Sequence, residues 1–276
     1  MQVSVGAQVL DVMVDGPPAG PVVLLLHGFP QSSHSWRLVA PALVDCGFRV
    51  VVPDQRGYSP GARPSAPGAY RLPVLTGDAL GLLDALGIAR AHVVGHDWGA
   101  AVAWQLAARH ADRVRSLTAV SVPHPQAFVE ALRTDPDQRR RSIYMRAFAS
   151  DGYDAVLLAD SAVKLRRLFA GAGPAVDLDD VLRRAGEPGA LRSWLRWYAD
   201  QRLDDVAPTP AVTVPTLHVW SDGDAALGEA GTLATAAWVT GPYRLEVLAG
   251  ISHWIPEQAS DALSSLLLDH LAACSS

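Results

Sequence analysis

The chain has 276 residues, a formal net charge of −5 and an apolar content of 49%. This apolar content excludes a chain that is disordered throughout, and the length suits one large domain or a core with an inserted subdomain. The acidic balance argues against a nucleic-acid partner, which would need a clustered basic surface. The basic run Arg139–Arg141 is expected to be the solvated face of a helix.

The cysteines and the N-terminal segment indicate where the protein works. Cys46 and Cys274 have neither the number of a disulfide framework nor the spacing of a metal site, which suits a reducing compartment. The N-terminal segment lacks the basic and apolar regions of a signal peptide, and no apolar run approaches the ~20 residues of a membrane span. We therefore expect a cytoplasmic protein with no membrane partner.

Strand and helix patterns alternate along the first half of the chain. Short apolar runs bounded by glycine or proline are typical of buried strands: "PVVLLLHG", "GFRVVVPD", "AHVVGHD" and "RVRSLTAVSVP". Helical patterns lie between them, in "LPVLTGDALGLLDALG" and "WGAAVAWQLAARH". This alternation predicts an α/β fold in which helices cover both faces of a parallel sheet.

The pattern changes in the middle of the chain and then returns. Residues 123–207 are helical in pattern, rich in arginine and interrupted by "GAGP" and "GEPG". The strands resume at "VPTLHVWSD" and "YRLEVLAG", and an amphipathic helix closes the chain. We predict a core made of residues 1–122 and 208–276, with residues 123–207 inserted as a helical cap.

The segment "VVGHDWGAA" has the outline of a nucleophile elbow, G-x-S-x-G, with Asp97 in place of the serine. Gly95 and Gly99 allow a tight strand–turn–helix that lifts the Asp97 side chain clear of the sheet. Aspartate is also a good helix N-cap, but capping alone would not require both glycines. We therefore expect Asp97 to be a nucleophile.

A carboxylate at this position indicates a particular reaction. A serine that attacked a saturated carbon would form an ether, which water does not cleave, whereas a carboxylate forms an ester on itself that can be hydrolysed. Asp97 therefore predicts displacement at the saturated carbon of an epoxide or alkyl halide, followed by ester hydrolysis. The same residue argues against a serine-type esterase.

Ester hydrolysis needs a base for the attacking water and a group that orients this base. His253 follows the last predicted strand in "AGISHWIPEQ", and Asp222 and Asp224 follow the preceding one in "VWSDGDAALG". The order nucleophile, acid, histidine matches this architecture. Asp224 is the better acid because it lies further into the loop, and Asp222 is expected to shape the turn.

An oxyanion develops when water attacks the ester. The backbone N–H groups of Phe29 and Trp98 are placed to hold it. We expect His27 and His96 to be supporting residues rather than catalysts. No histidine or cysteine spacing predicts a metal site, and neither step requires a cofactor.

These segments resemble a known family. "HGFPQSSHSW", "DQRGYSPGARP", "VGHDWGAAVAW", "WSDGDAALG" and "GISHWIPE" are similar, in order, to the motifs of α/β-hydrolase-fold epoxide hydrolases. The resemblance covers the core, roughly 22–122 and 215–256. It implies a mostly parallel eight-stranded sheet under a helical cap and a hydrolase that acts on ether bonds. It also implies the following site: Asp97 as nucleophile, His253 with Asp224 as the water-activating pair, and Phe29 and Trp98 as oxyanion donors.

In that family, cap tyrosines give a proton to the epoxide oxygen as the ring opens. Tyr144 in "RSIYMRAF" resembles the first of them, with Phe148 one turn later. The second is expected about one helix before the "EPGAL" stretch, where this chain has Asp180 and Val181. Either one tyrosine suffices, or another cap donor substitutes: Tyr198, Tyr153 or the indole N–H of Trp197.

Two other functions are compatible with parts of the pattern. Haloalkane dehalogenases also use an elbow aspartate, and Trp98 fits one of their halide ligands, but the other is commonly an asparagine where this chain has Phe29. Haloacetate dehalogenases place an arginine at the position of Trp98. A non-catalytic binding protein would have no need of Asp97, Asp224 and His253 together.

The substrate is expected to be a small apolar or aromatic epoxide. This expectation depends on aromatic side chains that we expect to form the pocket walls. They are Phe29, Trp98, Phe148, Trp194, Trp197, Tyr198 and Trp254.

Overall fold

The computed structural model describes residues 1–202, 205 and 208–274. Its centre is an eight-stranded sheet in the order β1-β2-β4-β3-β5-β6-β7-β8. The strands are Gln2–Val5, Gln8–Asp15, Val22–Leu26, Arg49–Pro53, Ala91–His96, Val114–Val120, Thr216–Ser221 and Tyr243–Leu248. Strands β3 to β8 pair in parallel, whereas β2 is antiparallel to both β1 and β4. The predicted α/β fold with a mostly parallel sheet is confirmed, and the antiparallel β1–β2 hairpin is an addition to it.

Helices connect the strands and fill the segment between β6 and β7. In chain order, α1 to α12 are Ala40–Asp45, Leu72–Ala85, Trp98–Arg109, Pro125–Thr134, Pro136–Arg141, Tyr144–Phe148, Tyr153–Arg167, Leu178–Ala185, Ala190–Ala199, Glu229–Ala234, Ile255–Gln258 and Ser260–Ala273. Short 3-10 helices lie at Ser33–Trp36, Pro60–Ala62, Ala111–Arg113 and Thr235–Trp238. Helix α7 is interrupted by non-helical backbone between Ala159 and Ala162. Within the described part of the chain, no helix is long and apolar enough to cross a membrane.

The central strands are apolar on both faces because helices cover both sides of the sheet. In β3, Leu24 and Leu26 belong to the apolar core that α2 and α3 complete. Val23 and Leu25 point to the opposite face, where α1 and α12 complete a second core. Because side chains alternate along a strand, a continuous apolar run supplies both cores at once.

The turn from β5 into α3 is tight, and its two glycines are sterically required. A Cβ atom on Gly95 would lie 2.2 Å from the Gly99 carbonyl oxygen, and one on Gly99 would lie 2.1 Å from the Leu26 carbonyl oxygen. Asp97, between them, has a φ of 53° and a ψ of −122°, an uncommon conformation for a residue other than glycine. Its side chain makes no N-cap hydrogen bond to α3, so helix capping does not explain the carboxylate.

Helices α4 to α9 form the segment that was predicted to be a cap. Two of its contacts with the core are polar: Trp194 Nε1 donates to the Gly57 carbonyl oxygen at 3.1 Å, and Arg184 pairs with Asp54 at 2.9 Å. Helix α4 also packs against α10, which follows β7. The division at residues 123 and 207 stays a prediction, and Ala207 lies outside the described residues.

We predict that Gly99→Ala destabilises the protein by about 3 kcal/mol or more, because the new methyl group overlaps a backbone oxygen of β3 that cannot withdraw. The matched control is Gly77→Ala in α2, where nothing lies within 4 Å of the added Cβ. That variant should gain about 0.5–1 kcal/mol from the better helix propensity of alanine. Denaturant unfolding of both variants measures the difference, and equal stabilities would contradict the steric argument.

Candidate active site

The carboxylate of Asp97 is held by backbone N–H groups at the carboxyl edge of the sheet. The Phe29 N–H donates to Asp97 Oδ1 at 2.8 Å, and the backbone N–H of Trp98 is near enough to help lower the pKa of this carboxyl. Gly28 permits this approach, since a Cβ atom there would lie 2.4 Å from Asp97 Oδ1. The predicted oxyanion donors and the predicted nucleophile are therefore in contact before any substrate binds.

His253 is on the loop after β8, and its ring lies between two carboxylates. Its Nε2 is 3.5 Å from Asp97 Oδ2, and its Nδ1 is 2.7 Å from Asp224 Oδ2. The other oxygen of Asp224 accepts hydrogen bonds from the backbone N–H groups of Ala226 and Leu227, at 2.7 and 3.0 Å. These bonds fix the Asp224 carboxylate, which in turn holds His253 with Nε2 toward Asp97.

Asp222 occupies the position that was predicted for a turn residue. Its Oδ1 accepts a hydrogen bond from the Gly250 backbone N–H at 2.6 Å. Of the two candidate acids in "WSDGDAALG", the structure thus brings Asp224 to the histidine, and it places Asp222 against the loop that carries this histidine.

The charges of the site alter the pKa values of its groups in opposite directions. Burial alone would lower the pKa of His253, but Asp224 and Asp97 outweigh burial and raise it to about 10. Burial likewise opposes ionisation of Asp97, yet the hydrogen bond and the charge of His253 lower the pKa of this carboxyl. The resting site is therefore an imidazolium between two carboxylates.

His27 and His96 are buried and neutral, as supporting residues would be. Burial lowers the pKa of each imidazole to about 4. His27 Nε2 accepts a hydrogen bond from the Gln55 N–H at 3.1 Å, and His96 Nε2 lies 2.9 Å from the His253 carbonyl oxygen. Within the described residues, no group of three or more histidine, cysteine, aspartate or glutamate side chains is arranged to hold a metal ion.

A cavity of about 300 Å³ opens beside Asp97, and its walls are almost entirely apolar. It is lined by Leu72, Asp97, Trp98, Ala101, Val122, Pro125, Phe128, Val129, Leu132, Tyr144, Met145, Tyr198, Gln201, Arg202 and Leu227. Gln201 adds little free polarity, since its amide donates to the Tyr70 and Trp197 carbonyl oxygens and accepts from the Leu72 N–H. The cavity therefore suits an apolar molecule that reaches the carboxylate.

Two tyrosines lie side by side in the wall of this cavity. The rings of Tyr144 and Tyr198 are 6.2 Å apart between centroids, and both side chains line the cavity. The Trp98 ring packs edge to face on Tyr198, at 5.2 Å between centroids. Burial and then the charge of Asp97 raise the pKa of Tyr144 well above its usual value, so both phenols keep their protons.

The window in which the resemblance implies a second tyrosine contributes no residue to the cavity wall. Asp180 lies on α8 and pairs with Arg183 and Arg184, at the contact between α8 and the core. Tyr198, on α9, is the tyrosine that accompanies Tyr144. Tyr198 is one of the three substitutes that the sequence left open. Two helices separate it from Tyr144 along the chain, so only the packing of the helices brings the two tyrosines together.

Several other aromatic residues expected in the pocket lie elsewhere. Trp194 stacks on Tyr58, and Trp254 stacks on Phe169 with its indole N–H donated to the Leu168 carbonyl oxygen. Neither lines the cavity. These tryptophans instead pack the segment between β6 and β7 against the core.

Trp197 and two further expected residues form a layer behind the cavity wall. The Trp197 indole N–H donates to the Arg56 carbonyl oxygen at 2.9 Å, so it is not available as an acid. Phe148 packs on the rings of Phe29 and Tyr198, and Tyr153 packs on Phe148. They support the wall without lining the cavity.

Phe128, Leu132 and Met145 line the cavity and were not anticipated. Phe128 and Leu132 are four residues apart on α4, a spacing that puts both on one helix face. This spacing is visible in the sequence, but it is equally typical of a core-facing helix. The walls therefore contain more aliphatic side chains than we expected from the sequence, where only aromatic residues were assigned to the pocket.

The fold and the site together define a class of protein. A carboxylate on a nucleophile elbow, a histidine–aspartate pair after the last two strands and a mostly parallel eight-stranded sheet are the parts of an α/β hydrolase. A family model described as "alpha/beta hydrolase fold" matches residues 21–260.

Comparison with known proteins identifies the family within the α/β hydrolases. Epoxide hydrolase A of Mycobacterium tuberculosis is 35% identical, over 95% of this chain and 94% of that protein. A solved structure of novel epoxide hydrolases from metagenomes of hot environments is 30% identical, with a TM-score of 0.89 over 98% of this chain and 97% of that one. The epoxide hydrolase of Bacillus megaterium, solved with an inhibitor, is 25% identical with a TM-score of 0.90 over 99% of this chain and 100% of that one. The chain belongs to the epoxide hydrolases of the α/β-hydrolase family, which are hydrolases that act on the ether bond of an epoxide.

We predict that the imidazolium of His253 persists to about pH 10 in the resting protein and titrates at lower pH in Asp97→Ala, because one of its two carboxylate partners is gone. The raised pKa also stabilises the folded state, fully below the ordinary value of 6.5 and progressively less as the pH rises through about 10. Nitrogen–proton correlation spectra of labelled histidine rings measure the titration, with the His253 signal assigned by its absence from His253→Gln.

Asp222→Ala is the control, and its His253 should titrate as in the wild type. A titration unaltered by Asp97→Ala would contradict the electrostatic description.

Proposed function

We propose that this enzyme opens a small apolar epoxide to a vicinal diol through an ester on Asp97. The observation that carries the proposal is the asymmetry of the carboxylate. Asp97 Oδ1 is already bound by the Phe29 N–H, while Oδ2 is turned toward His253. Oδ2 is therefore the oxygen that attacks, and Oδ1 is the oxygen that takes up negative charge later.

In the first step, Asp97 Oδ2 attacks one epoxide carbon and forms a carbon–oxygen bond. The bond between that carbon and the ring oxygen breaks, and its electron pair moves to the ring oxygen. A phenol of the Tyr144–Tyr198 pair donates a proton to this oxygen, since an alkoxide is a poor leaving group without an acid within hydrogen-bond reach. Tyr144, Tyr198 and Asp97 all line the same cavity, which supports a phenol as the acid.

Esterification itself adjusts the acidity of the surrounding groups. The negative charge of Asp97 is one of the causes that raise the pKa of Tyr144, of Tyr198 and of His253. When Asp97 becomes a neutral ester, this contribution is lost and all three groups release a proton more easily. The tyrosine pair is thereby helped to give up its proton. The His253 imidazolium then releases its proton, which returns to the phenolate by way of solvent, and the neutral imidazole can act as a base.

In the second step, His253 Nε2 takes a proton from a water molecule whose oxygen bonds to the Asp97 carboxyl carbon. The resulting oxyanion on Oδ1 is held by the N–H groups of Phe29 and Trp98. The bond between the carboxyl carbon and Oδ2 then breaks, so the diol leaves with Oδ2 and Asp97 retains the oxygen of water. Asp224 keeps His253 oriented and stabilises its positive charge.

The leaving-group side of the cavity favours an epoxide over an alkyl halide. A departing halide would need N–H donors, and the Phe29 side chain instead packs its ring on Phe148 and Tyr198. A departing epoxide oxygen needs a proton, and Tyr144 and Tyr198 carry one each. We infer an apolar or aromatic epoxide as the substrate, and a cytoplasmic location stays a prediction.

We predict that His253→Gln, mixed with styrene oxide, accumulates an adduct whose mass equals protein plus epoxide and which maps to Asp97. Adding Tyr144→Phe or Tyr198→Phe to His253→Gln should slow adduct formation roughly 100-fold, because general acid catalysis of ring opening is lost. Rapid quench followed by intact-protein mass spectrometry measures both results.

Two control variants belong to the same experiment. Adding Tyr153→Phe to His253→Gln should leave the rate of adduct formation unaltered, since Tyr153 lies behind the cavity wall. Adding Asp97→Ala should abolish the adduct. An adduct on another residue would refute the proposed nucleophile, and release of halide from an alkyl bromide with epoxides left untouched would favour a dehalogenase.

A further inference from the structure

The loop that carries His253 must cross part of the sheet to reach the nucleophile. It leaves β8, whereas Asp97 follows β5, and the sheet order β5-β6-β7-β8 puts these strands three positions apart. At the usual spacing between strands this distance is about 14 Å. A loop of this reach needs anchors on the strands that it crosses.

The anchors are hydrogen bonds from strand-end side chains to the loop backbone. Ser221, the last residue of β7, donates to the Ser252 carbonyl oxygen at 3.1 Å. Ser121, just after β6, lies 3.3 Å from the His253 carbonyl oxygen, and His96, the last residue of β5, lies 2.9 Å from the same oxygen. The loop is therefore fixed once on each of three successive strands.

His96 is the anchor that joins the base to the strand of the nucleophile. A carbonyl oxygen only accepts, so His96 Nε2 carries the proton and donates it. The side chain is fully buried, and its Nδ1 has no hydrogen-bond partner among the described residues. A buried acceptor without a partner costs free energy of folding. The unpaired Nδ1 therefore makes the burial of His96 unfavourable, and the hydrogen bond of Nε2 is the contact that accounts for a histidine at this position. The Ile255 N–H also reaches the His253 carbonyl, but that bond stays within the loop.

Ser121 is independent evidence that the position of this carbonyl oxygen is important. Its φ is 71°, in the left-handed region that favours glycine, and this conformation directs Oγ toward the His253 carbonyl oxygen. The strained backbone of Ser121 and the unpaired Nδ1 of His96 both cost free energy, and both side chains contact the His253 carbonyl oxygen. This coincidence indicates that the position of this oxygen matters for function.

We propose that His96 is a positioning residue that sets His253 against Asp97 for hydrolysis of the ester. The inference rests on the proposed function, because it concerns the second half-reaction of that mechanism. His96 reaches the loop as a neutral donor, so it adds no positive charge beside His253, which is 4.8 Å away between ring centroids. Ring opening by Asp97 does not use His253 as a base, so it does not depend on this anchor.

The test separates the two half-reactions with styrene oxide as the probe. Rapid-quench mass spectrometry records adduct formation and adduct loss in His96→Leu, which has no donor. We expect adduct formation within about threefold of wild type and adduct hydrolysis slowed about 10- to 100-fold, as for a displaced catalytic group. His96→Gln, whose amide can donate in place of Nε2, should recover most of the hydrolysis rate.

Two further variants make the experiment decisive. His92→Leu removes another buried, neutral histidine from the opposite end of β5 and should leave the ratio of the two rates unaltered. Ser121→Gly relieves the strained backbone and removes the hydroxyl, so we expect slower adduct hydrolysis without a lower unfolding temperature. This variant decides the question if His96→Leu does not fold.

The inference is overturned if folded His96→Leu hydrolyses the adduct at the wild-type rate, if both half-reactions slow equally, or if His96→Gln is as defective as His96→Leu. Wild-type hydrolysis in Ser121→Gly would equally contradict the anchoring of this carbonyl oxygen. Absence of any adduct on Asp97, in wild type and variants alike, would instead refute the proposed function itself.

Discussion

The hydrogen bond from the Phe29 N–H to Asp97 Oδ1 determines the geometry of the active site. It requires two backbones to approach so closely that Gly28 has no room for a Cβ atom, and it requires the elbow whose glycines, Gly95 and Gly99, pack against backbone oxygens. The fold thus holds one carboxylate oxygen in place and leaves the other for chemistry. Preorganised donors of this kind need no rearrangement when charge develops during ester hydrolysis.

The charge of that carboxylate also coordinates the two half-reactions. While Asp97 is ionised, it favours the imidazolium of His253 and the protonated phenols of Tyr144 and Tyr198. One of the two phenols and the imidazolium must each lose a proton, and esterification removes the charge that helps to retain it. The order of events is therefore built into the electrostatics of the site. Asp224, which is not esterified, keeps the base oriented after Asp97 has become neutral.

The sequence predicts the central sheet and the polar residues of the site because both depend on local pattern. Apolar runs define the strands, and strand ends place Asp97, Asp224 and His253 at one edge of the sheet. The cavity walls do not follow from residue type, since they depend on how the helices between β6 and β7 seat on the core. Trp197 donates its indole N–H to a core carbonyl oxygen behind the wall, whereas Tyr198, its neighbour on α9, lines the cavity.

A single-turnover reaction in heavy-oxygen water, with enzyme in excess over styrene oxide, is the most direct test of the ester on Asp97. After one turnover, we expect the peptide that contains Asp97 to carry one heavy oxygen and the diol to carry none. Both can be measured by mass spectrometry. A labelled diol beside an unlabelled Asp97 peptide would mean that water attacks the epoxide directly, and it would contradict the ester mechanism.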